Sequence, residues 1–361
     1  MKVKNLQLVN YRNYINSKIE FHPEINIIIG NNAQGKTNLL ESLYLLSTTR
    51  SFRVNKDSNL IMKNKNYALI EADIESNILK KLKVVIVDKG KSLFISNQRI
   101  AKNSDFIGEV NTVLFSPKDI ELFSSPKSFR RKLVDLEIGK ISKKYMNSLN
   151  YYQKLLKDRN ILLKNKDVDF FLIDSIDEKM IENQIQIIRF RKHFIDFINS
   201  KINVYYSYLS KSKDKISMSY DCCINDFKNM NEELHIMYKE NLEKDRLYKM
   251  TLNGVHREDI IFRINDQNVN DFASQGQRRM IVLSFKFAII EYIENSIKDY
   301  PILLLDDVLS ELDINVKQRL FKIISSKLQV FITTTDINEI NIDANYKVYK
   351  VNNGEILKGS K

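Results

Sequence analysis

The sequence is poor in residues that interrupt or cross-link a chain, with 9 glycines, 4 prolines and 2 cysteines among 361 residues. Because glycine is scarce, a cluster of glycines indicates a special backbone. The cysteines, Cys222 and Cys223, are adjacent, so they cannot form a disulfide framework, and they lack the paired spacing of a zinc site. We interpret both as reduced residues with a structural role.

Histidines and long apolar runs are also scarce. The 4 histidines are scattered and form no cluster with the cysteines, so we expect no structural metal. No stretch approaches 18 uninterrupted apolar residues, and residues 1–8 alternate polar and apolar side chains instead of forming a signal peptide. We therefore expect a cytoplasmic protein with no membrane partner.

The chain does have ordinary hydrophobicity and a surplus of positive charge. Hydrophobic residues make up 43% and charged residues 28%, which is typical of a folded protein, and the length suggests about two domains. The net charge is +12, and residues 126–215 contain 20 Lys and Arg against 11 Asp and Glu. This local surplus favours a polyanionic partner such as nucleic acid.

Apolar periodicity divides the chain into strand-rich ends and a helical middle. Strands are predicted at 3–9, 25–29, 68–74, 82–87, 93–96, 260–264, 302–305, 329–333 and 347–351, with a hairpin across 88–91 that joins the strands at 82–87 and 93–96. Between 126 and 250, apolar residues recur every three or four positions, which predicts a helical insertion, and a long helix is predicted at 276–296. Two Ser-Pro steps, at Ser116 and Ser125, predict helices capped by serine with proline in the first turn.

A phosphate-binding loop is predicted between the strand at 25–29 and the following helix. The pattern Gly-x-x-x-x-Gly-Lys-Thr is formed by Gly30, Asn31, Asn32, Ala33, Gln34, Gly35, Lys36 and Thr37. Glycines allow the backbone amides to face phosphates at a helix N-terminus, while Lys36 reaches the phosphate oxygens and the Thr37 hydroxyl holds Mg²⁺.

An acidic strand end supplies the second half of such a site. The apolar run at 302–305 is followed by Asp306 and Asp307, and Asp306 is expected to hold Mg²⁺ through water. Some 270 positions separate this strand from the phosphate loop, unlike the compact arrangement of kinases and GTPases.

The long helix opens with Ser274, Gln275, Gly276 and Gln277, which resemble the Ser-Gly-Gly-Gln signature of ABC ATPases. In those enzymes the serine and the glycine amide of one subunit close over the γ-phosphate held by the other. A plain helix cap is the alternative. Residues 310–313 resemble the D-loop of that class, and 333–336 end the strand where a switch histidine is often found.

Taken in order, these motifs resemble the RecF family of bacterial recombination and replication-repair proteins, which are related to SMC heads and ABC ATPases. The resemblance rests on 30–38 with Glu41, 50–53, 115–119, 274–279, 306–313 and 333–336. It departs from the family at Val255, where we would expect proline.

The resemblance implies an α/β fold: an ABC-type, SMC-like P-loop ATPase head with an inserted, mainly helical arm. The head is expected at 1–125, with the phosphate loop, and at 251–361, with the signature and the acidic strand; the arm or lid is expected at 126–250. The implied cofactors are ATP and Mg²⁺. The implied partners are double-stranded, single-stranded or gapped DNA, a second copy bound through ATP, and the mediator proteins RecR and RecO.

Catalysis is expected from Lys36 and Asp307. Asp307 stands where most ABC ATPases have a glutamate, and its side chain is one methylene shorter, so we expect weak, slow ATP hydrolysis that acts as a switch.

Basic residues near the start of the arm are candidates for contacts with DNA phosphates. The candidates are Lys127, Arg130, Arg131, Lys132, Lys143 and Lys144. A solvated helix face is the alternative. No base-reading module is evident, so binding is expected to follow DNA structure more than sequence.

Two other functions share the nucleotide motifs. The ATPase subunit of a membrane transporter is usually shorter, has Glu in place of Asp307 and His near Thr335, and lacks a basic arm of this size. A nuclease of the same superfamily needs a further acidic metal cluster, and none is evident after Asp313.

Overall fold

The chain forms two units in a computed structural model that describes residues 1–165, 167, 169–324, 328–337 and 345–358. The first unit comprises Met1–Ile120, Val204–Lys213 and Arg279–Lys361, and the second comprises Glu121–Asn203 and Asp214–Arg278. The expected division into head, arm and head at 125 and 250 stays a prediction.

The strands of the described residues are numbered in chain order. They are β1 Lys2–Tyr11, β2 Tyr14–Glu20, β3 Ile25–Ile29, β4 Tyr67–Glu75, β5 Leu79–Val87, β6 Gly90–Ile95, β7 Gln98–Ile100, β8 Thr112–Phe115, β9 Ile216–Asp221, β10 Asp259–Ile264, β11 Gln267–Asn268, β12 Ile302–Asp306, β13 Val330–Thr334, β14 Tyr346–Asn352 and β15 Glu355–Lys358.

The α-helices are numbered in the same way. They are α1 Lys36–Thr48, α2 Asn103–Phe106, α3 Lys127–Ile141, α4 Lys143–Leu162, α5 Phe170–Ser210, α6 Met230–Tyr248, α7 Val269–Phe272, α8 Gln275–Ile297 and α9 Ile314–Ile323. Short 3₁₀ helices cover Asp57–Leu60, Pro117–Leu122 and Leu309–Glu311.

A six-stranded sheet at the centre of the first unit has the order β15-β14-β3-β13-β12-β8. All pairs are parallel except β14 with β15. The inner strands β3, β12 and β13 are almost continuously apolar and buried, as expected for a parallel sheet covered on both faces. Because β13 lies between β3 and β12, the chain segments that leave these strands emerge at one edge of the sheet.

A second six-stranded sheet of the first unit is antiparallel, with the order β2-β1-β4-β5-β6-β7. Its strands alternate buried and more exposed residues, most regularly in β4, so one face packs on the core. Phe21, which follows β2, packs edge-on against Phe331 of β13 at a ring distance of 4.8 Å. The two sheets therefore share one hydrophobic core.

The second unit consists of helices and a small antiparallel sheet of order β11-β10-β9. Two arginines are fully buried in it and held by carboxylates. Arg159 pairs with Asp177 and Asp245, and Arg191 pairs with Asp135 and Glu258. Burying such charges costs free energy unless each is paired, so the interior of this unit depends on these partners.

The predicted strands and the hairpin across 88–91 are confirmed. Two local predictions differ from the structure. The predicted helical segment also contains β9. The expected serine caps at the two Ser-Pro steps were wrong. Helix α3 begins at Lys127 with Pro126 at its cap position and no side-chain cap, and Pro117–Leu122 forms a 3₁₀ turn instead of an α-helix. Across the described ranges, no helix combines the length and the apolar character needed to cross a membrane.

Candidate nucleotide-binding site

The loop between β3 and α1 has the backbone that its glycines predict. Gly35, at the N-cap of α1, has a φ of 118°, a conformation that side chains rarely adopt, and Ala33 is left-handed as well with a φ of 65°. At Gly30 the constraint is space, because a Cβ there would lie 2.4 Å from the carbonyl oxygen of Val351. Both glycines of the motif are thus required by the fold.

Lys36 is buried against this loop. Its Nζ donates to the carbonyl oxygens of Gly30 at 2.6 Å and Asn31 at 3.1 Å. Burial lowers the pKa of Lys36, and the negative charges of Asp307 and Asp306 oppose that shift. The ammonium group therefore lies within the loop and within electrostatic range of both acids.

Thr37, Asp306 and Thr333 form a hydrogen-bonded group at the strand ends. The Thr37 Oγ1 donates to Asp306 Oδ1 at 2.9 Å, and Thr333 Oγ1 of β13 donates to the same oxygen at 3.0 Å. The strand order places these residues together, because β13 separates the strand before the loop from the strand that ends in Asp306. The structure thus brings the two halves of the predicted site into contact.

The carboxyl group of Asp306 is almost completely buried. Burial raises the pKa of Asp306 above its ordinary value, while the hydrogen bonds from Thr37 and Thr333 and the charge of Arg53 partly offset this rise. Because burial is the main cause of this rise, a cation bound beside the carboxylate would favour its charged form.

Asp307 is half-buried and has a left-handed backbone with a φ of 53°. Its backbone N–H donates to Thr333 Oγ1 at 2.9 Å, and its carbonyl accepts from Ser310 Oγ at 2.9 Å. This turn directs the chain away from β12 directly after Asp306, so the two acids have different surroundings.

Residues far away in sequence brace the phosphate loop. Asn13 Nδ2 donates to the carbonyl of Gln34 at 2.8 Å, and the Tyr14 hydroxyl donates to that of Gly35 at 2.9 Å. The backbone N–H of Gly354 also donates to the Gln34 carbonyl, at 3.0 Å. The sequence did not predict these contacts; the Asn-Gly turn that contains Gly354 is a hairpin signal, but nothing local marks Asn13.

A buried carboxylate on α1 organises the segment that follows this helix. Glu41 accepts from Arg12 Nε at 2.9 Å and Arg12 Nη2 at 2.8 Å, and from the hydroxyl of Ser51. Arg53 Nη1 donates to Asn38 Oδ1 at 2.6 Å. The predicted motif at 50–53 is therefore held against the face of α1 beside the loop.

The signature-like segment lies in the second unit and forms a capping box. The backbone N–H of Ser274 donates to Gln277 Oε1 at 2.9 Å, and that of Gln277 donates to Ser274 Oγ at 3.2 Å. Ser274, Gln275 and Gly276 are exposed. The segment thus caps the N-terminus of α8, as the alternative interpretation of the sequence expected. These exposed residues leave the start of α8 open to solvent.

The D-loop-like and switch-like segments have clear local roles in the first unit. Asp313 caps α9 by accepting from the backbone N–H of Val316 at 2.9 Å. Glu311 pairs with Arg279 at 3.1 Å. Thr334 accepts from the backbone N–H of Asp336 at 3.3 Å, and Thr335 is exposed.

Two of the basic candidates are engaged inside the second unit. Arg130 donates from Nε and Nη2 to the two carboxylate oxygens of Asp259, at 2.9 and 2.8 Å. Arg131 donates to the carbonyl of Glu258. Burial lowers the pKa of Arg131, as does the charge of Arg191. These contacts give both arginines a structural role within the second unit.

The four lysine candidates are exposed. Lys127 lies 3.6 Å from Asp221 in an ion pair whose side chains are both 56% exposed. Lys143 and Lys144 form the first turn of α4 beyond its cap, Ser142, whose Oγ accepts from the backbone N–H of Tyr145 at 3.2 Å. Cations at a helix N-terminus are unfavourable for the helix, so helix stability does not explain these two lysines.

His256, in the turn at 254–259, has a structural environment. Its Nδ1 lies 2.9 Å from the Tyr152 hydroxyl and its Nε2 lies 3.0 Å from the carbonyl of Thr251. Burial lowers the pKa of His256 to about 4, so the ring is neutral at pH 7. Gly254 has a φ of 129°, and Val255, at the position expected for proline, is buried.

Comparison with known proteins agrees with this geometry. Residues 2–132 match the model of the RecF/RecN/SMC N terminal domain. The DNA replication and repair protein RecF of Staphylococcus aureus (strain JH9) is 36% identical over 371 residues, covering 99% of this chain and 100% of that protein. The chain belongs to the RecF family.

Solved structures of the RecF family have the same fold. Structures of the recombination mediator protein RecF in the RecFOR pathway, with ATP and with ATPrS, are each 32% identical, with TM-scores of 0.92 and 0.90, and each covers 99% of this chain. This chain covers 97% and 98% of those two chains. The Smc head domain of Pyrococcus furiosus shares the fold, with 17% identity and a TM-score of 0.58. The match covers 99% of this chain and 96% of that domain's chain.

The predicted fold class, an α/β ABC-type and SMC-like head, is confirmed by these relatives. The predicted RecF-family function in DNA replication and repair is confirmed as well. The transporter ATPase is not favoured, because the similarity to RecF extends over the full chain.

Proposed function

We propose that this RecF-family protein binds ATP with Mg²⁺ between the phosphate loop and the acidic strand. One observation carries the proposal: the Thr37 hydroxyl contacts the Asp306 carboxylate at 2.9 Å, although 269 positions separate the two residues. The loop amides and Lys36 bind the phosphates, as the helix N-terminus and the buried ammonium favour.

The side chains at this edge fit a magnesium ion, because the hydroxyl of Thr37 and the carboxylate of Asp306 are hard oxygen donors. Thr37 binds the ion directly and Asp306 binds it through water. When bound, Mg²⁺ neutralises charge on the phosphate oxygens. The burial of Asp306 and its contact with the Thr37 hydroxyl support this assignment.

The signature segment acts on the ATP of a second copy, which gives an ATP-dependent homodimer. Support comes from Gly276, which is exposed, has no left-handed backbone, and has open space where a Cβ would lie except for Ser274 Oγ at 4.0 Å. This chain's own fold therefore does not require glycine there. A close approach by a phosphate of the partner copy does require glycine at this position.

The dimer binds double-stranded, single-stranded or gapped DNA through phosphates and, in the cytoplasm, cooperates with RecR and RecO at gaps or stalled forks. The net charge of +12 and the exposed lysines of the second unit, above all Lys143 and Lys144, support DNA binding. ATP hydrolysis is slow because the Asp307 side chain is one methylene shorter than glutamate, and hydrolysis releases the dimer from DNA.

The experiment compares ATP binding and dimerisation of wild type and Lys36→Ala. We expect the variant to lose ATP-induced dimerisation and at least tenfold in ATP affinity, because the phosphates lose the ammonium group within the loop. Lys4→Ala, which removes a lysine of the same unit whose side chain is 44% exposed, serves as the control. Unchanged ATP affinity in Lys36→Ala would refute the site.

A further inference from the structure

The two cysteines of the chain meet a buried carboxylate in the second unit. The ligand atoms of Cys222, Cys223 and Glu258 all lie within 4.8 Å of one another. We propose that these three residues bind a thiophilic divalent cation, Zn²⁺ or Cd²⁺. The sequence did not predict such a site, because the third ligand lies 35 positions from Cys223 and completes no cysteine or histidine spacing motif.

The two oxygens of Glu258 have different surroundings. Oε1 faces the cysteines, accepting from Cys222 Sγ at 3.1 Å and from the backbone N–H of Cys223 at 3.2 Å. Oε2 is held by Arg191 Nη1 at 2.9 Å and by the Tyr220 hydroxyl. A ligating carboxylate is typically oriented by hydrogen bonds of this kind, and here they leave Oε1 toward the sulfur atoms.

The spacing suits a small tetrahedral ion. With Zn–S distances of about 2.3 Å and Zn–O distances of about 2.1 Å, the ligand atoms around zinc lie about 3.6 to 3.8 Å apart. The observed cluster lies within small adjustments of that spacing. Two thiolates and a carboxylate form a soft, anionic set that favours zinc or cadmium over magnesium.

Access and charge also fit. Both cysteines are half-buried, so an ion can enter from their side and keep a water as its fourth ligand, while Glu258 is 1% exposed on its side chain. Arg191 adds one positive charge beside the carboxylate. A divalent ion balances the charges of the two thiolates.

The bound ion links the two chain segments at one end of the β9–β10 strand pair. Cys222 directly follows β9 and Glu258 directly precedes β10, and the last pair of that ladder is Asp221 with Asp259. A metal bond across these ends holds the strand pair closed in the way a disulfide would, without oxidation. Metal binding therefore stabilises the second unit against unfolding.

The test titrates the full-length protein, kept reduced with a phosphine, with Cd²⁺ and records the ultraviolet thiolate-to-cadmium absorption. We expect one equivalent per chain in wild type, loss of the absorption in Cys222→Ser and in Cys223→Ser, and at least tenfold weaker binding in Glu258→Gln. Glu243→Gln, which alters an exposed carboxylate of the same unit, is the control and is expected to bind cadmium as wild type does.

Three results would overturn the proposal: no absorption in wild type, one cadmium shared by two chains, or unchanged affinity in folded Glu258→Gln, which would mean that exposed thiols bind alone. If Glu258→Gln fails to fold, as circular dichroism would show, Cys222→Ser decides, because it keeps Glu258 and Arg191. Retained absorption in that variant, or a zinc-induced rise of its unfolding temperature equal to that of wild type, also contradicts the site.

Discussion

Arg130 and Asp259 form a salt bridge with two hydrogen bonds, and their side chains are only 14% and 6% exposed. Breaking a buried pair of this kind leaves an unpaired charge, so we expect Arg130→Glu to lower the free energy of unfolding by about 3 to 5 kcal/mol in urea denaturation. Lys127→Glu changes an exposed residue of the same helix and should shift it by less than about 0.5 kcal/mol. An equal effect of both changes would contradict the structural role.

DNA binding is better tested at Lys143 and Lys144. The double change to Glu places acids in the first turn of α4, where they favour the helix, so the fold should be kept. We expect weaker binding, with the salt slope reduced by about 1.8 for two lost phosphate contacts. Lys63→Glu with Lys65→Glu makes the same change of charge at exposed positions of the first unit. Equal weakening in both double variants would indicate a general charge effect.

The role of Gly276 can be separated from folding. We expect Gly276→Ala to keep the stability of the monomer, or raise it by about 0.5 to 1 kcal/mol, because the position is open and alanine favours a helix. The same variant should bind ATP normally and fail to dimerise with it, since the methyl group meets the partner's phosphate. Sizing chromatography with and without ATP measures this. A normal ATP-dependent dimer would remove Gly276 from the interface.

Asp306 should make stability depend on pH. Its pKa is raised in the folded protein, so the folded state binds its proton more tightly, and the carboxylate destabilises the fold above that raised value. Asp306→Asn keeps an oxygen acceptor for Thr37 and Thr333 without the charge. We expect it to be more stable at pH 7 by about 0.5 to 2 kcal/mol. The gain should disappear as pH falls through the raised pKa toward the ordinary value of 3.8, and a gain constant over thermal scans from pH 7 to 4 would contradict this origin.

The phosphate loop, its strand and its helix could be predicted because their signal is local: a buried apolar run, two scarce glycines and a helix start. Asp306 was recognisable for the same reason. The bracing by Asn13 was not, because a contact between distant segments leaves no periodic pattern. Strand β9 was missed because its short alternation lies among long helical patterns. The ion pair of Arg130 and the hydrogen bond of Arg131 to a backbone carbonyl were missed because a basic sequence looks the same whether its charges are engaged or free.

Asp307 offers a test of hydrolysis that leaves the backbone intact. Its φ of 53° is left-handed, and asparagine tolerates that conformation well, so Asp307→Asn should keep the turn and the hydrogen bond from its N–H to Thr333. In the proposed site Asp306 and Thr37 would still hold Mg²⁺, and ATP affinity should therefore stay within about twofold of wild type. If Asp307 is the base that receives the proton of the attacking water, its loss should slow single-turnover hydrolysis by about 10² to 10⁴-fold.

That loss has a consequence for the dimer. If hydrolysis opens the two copies, Asp307→Asn should accumulate a long-lived dimer on DNA in the presence of ATP, whereas Lys36→Ala should form none. The two variants therefore separate nucleotide binding from turnover. Wild-type turnover in Asp307→Asn would remove Asp307 from the chemistry. Loss of ATP binding would instead show that Asp307 supports the nucleotide, either as a metal ligand or through its charge beside Lys36.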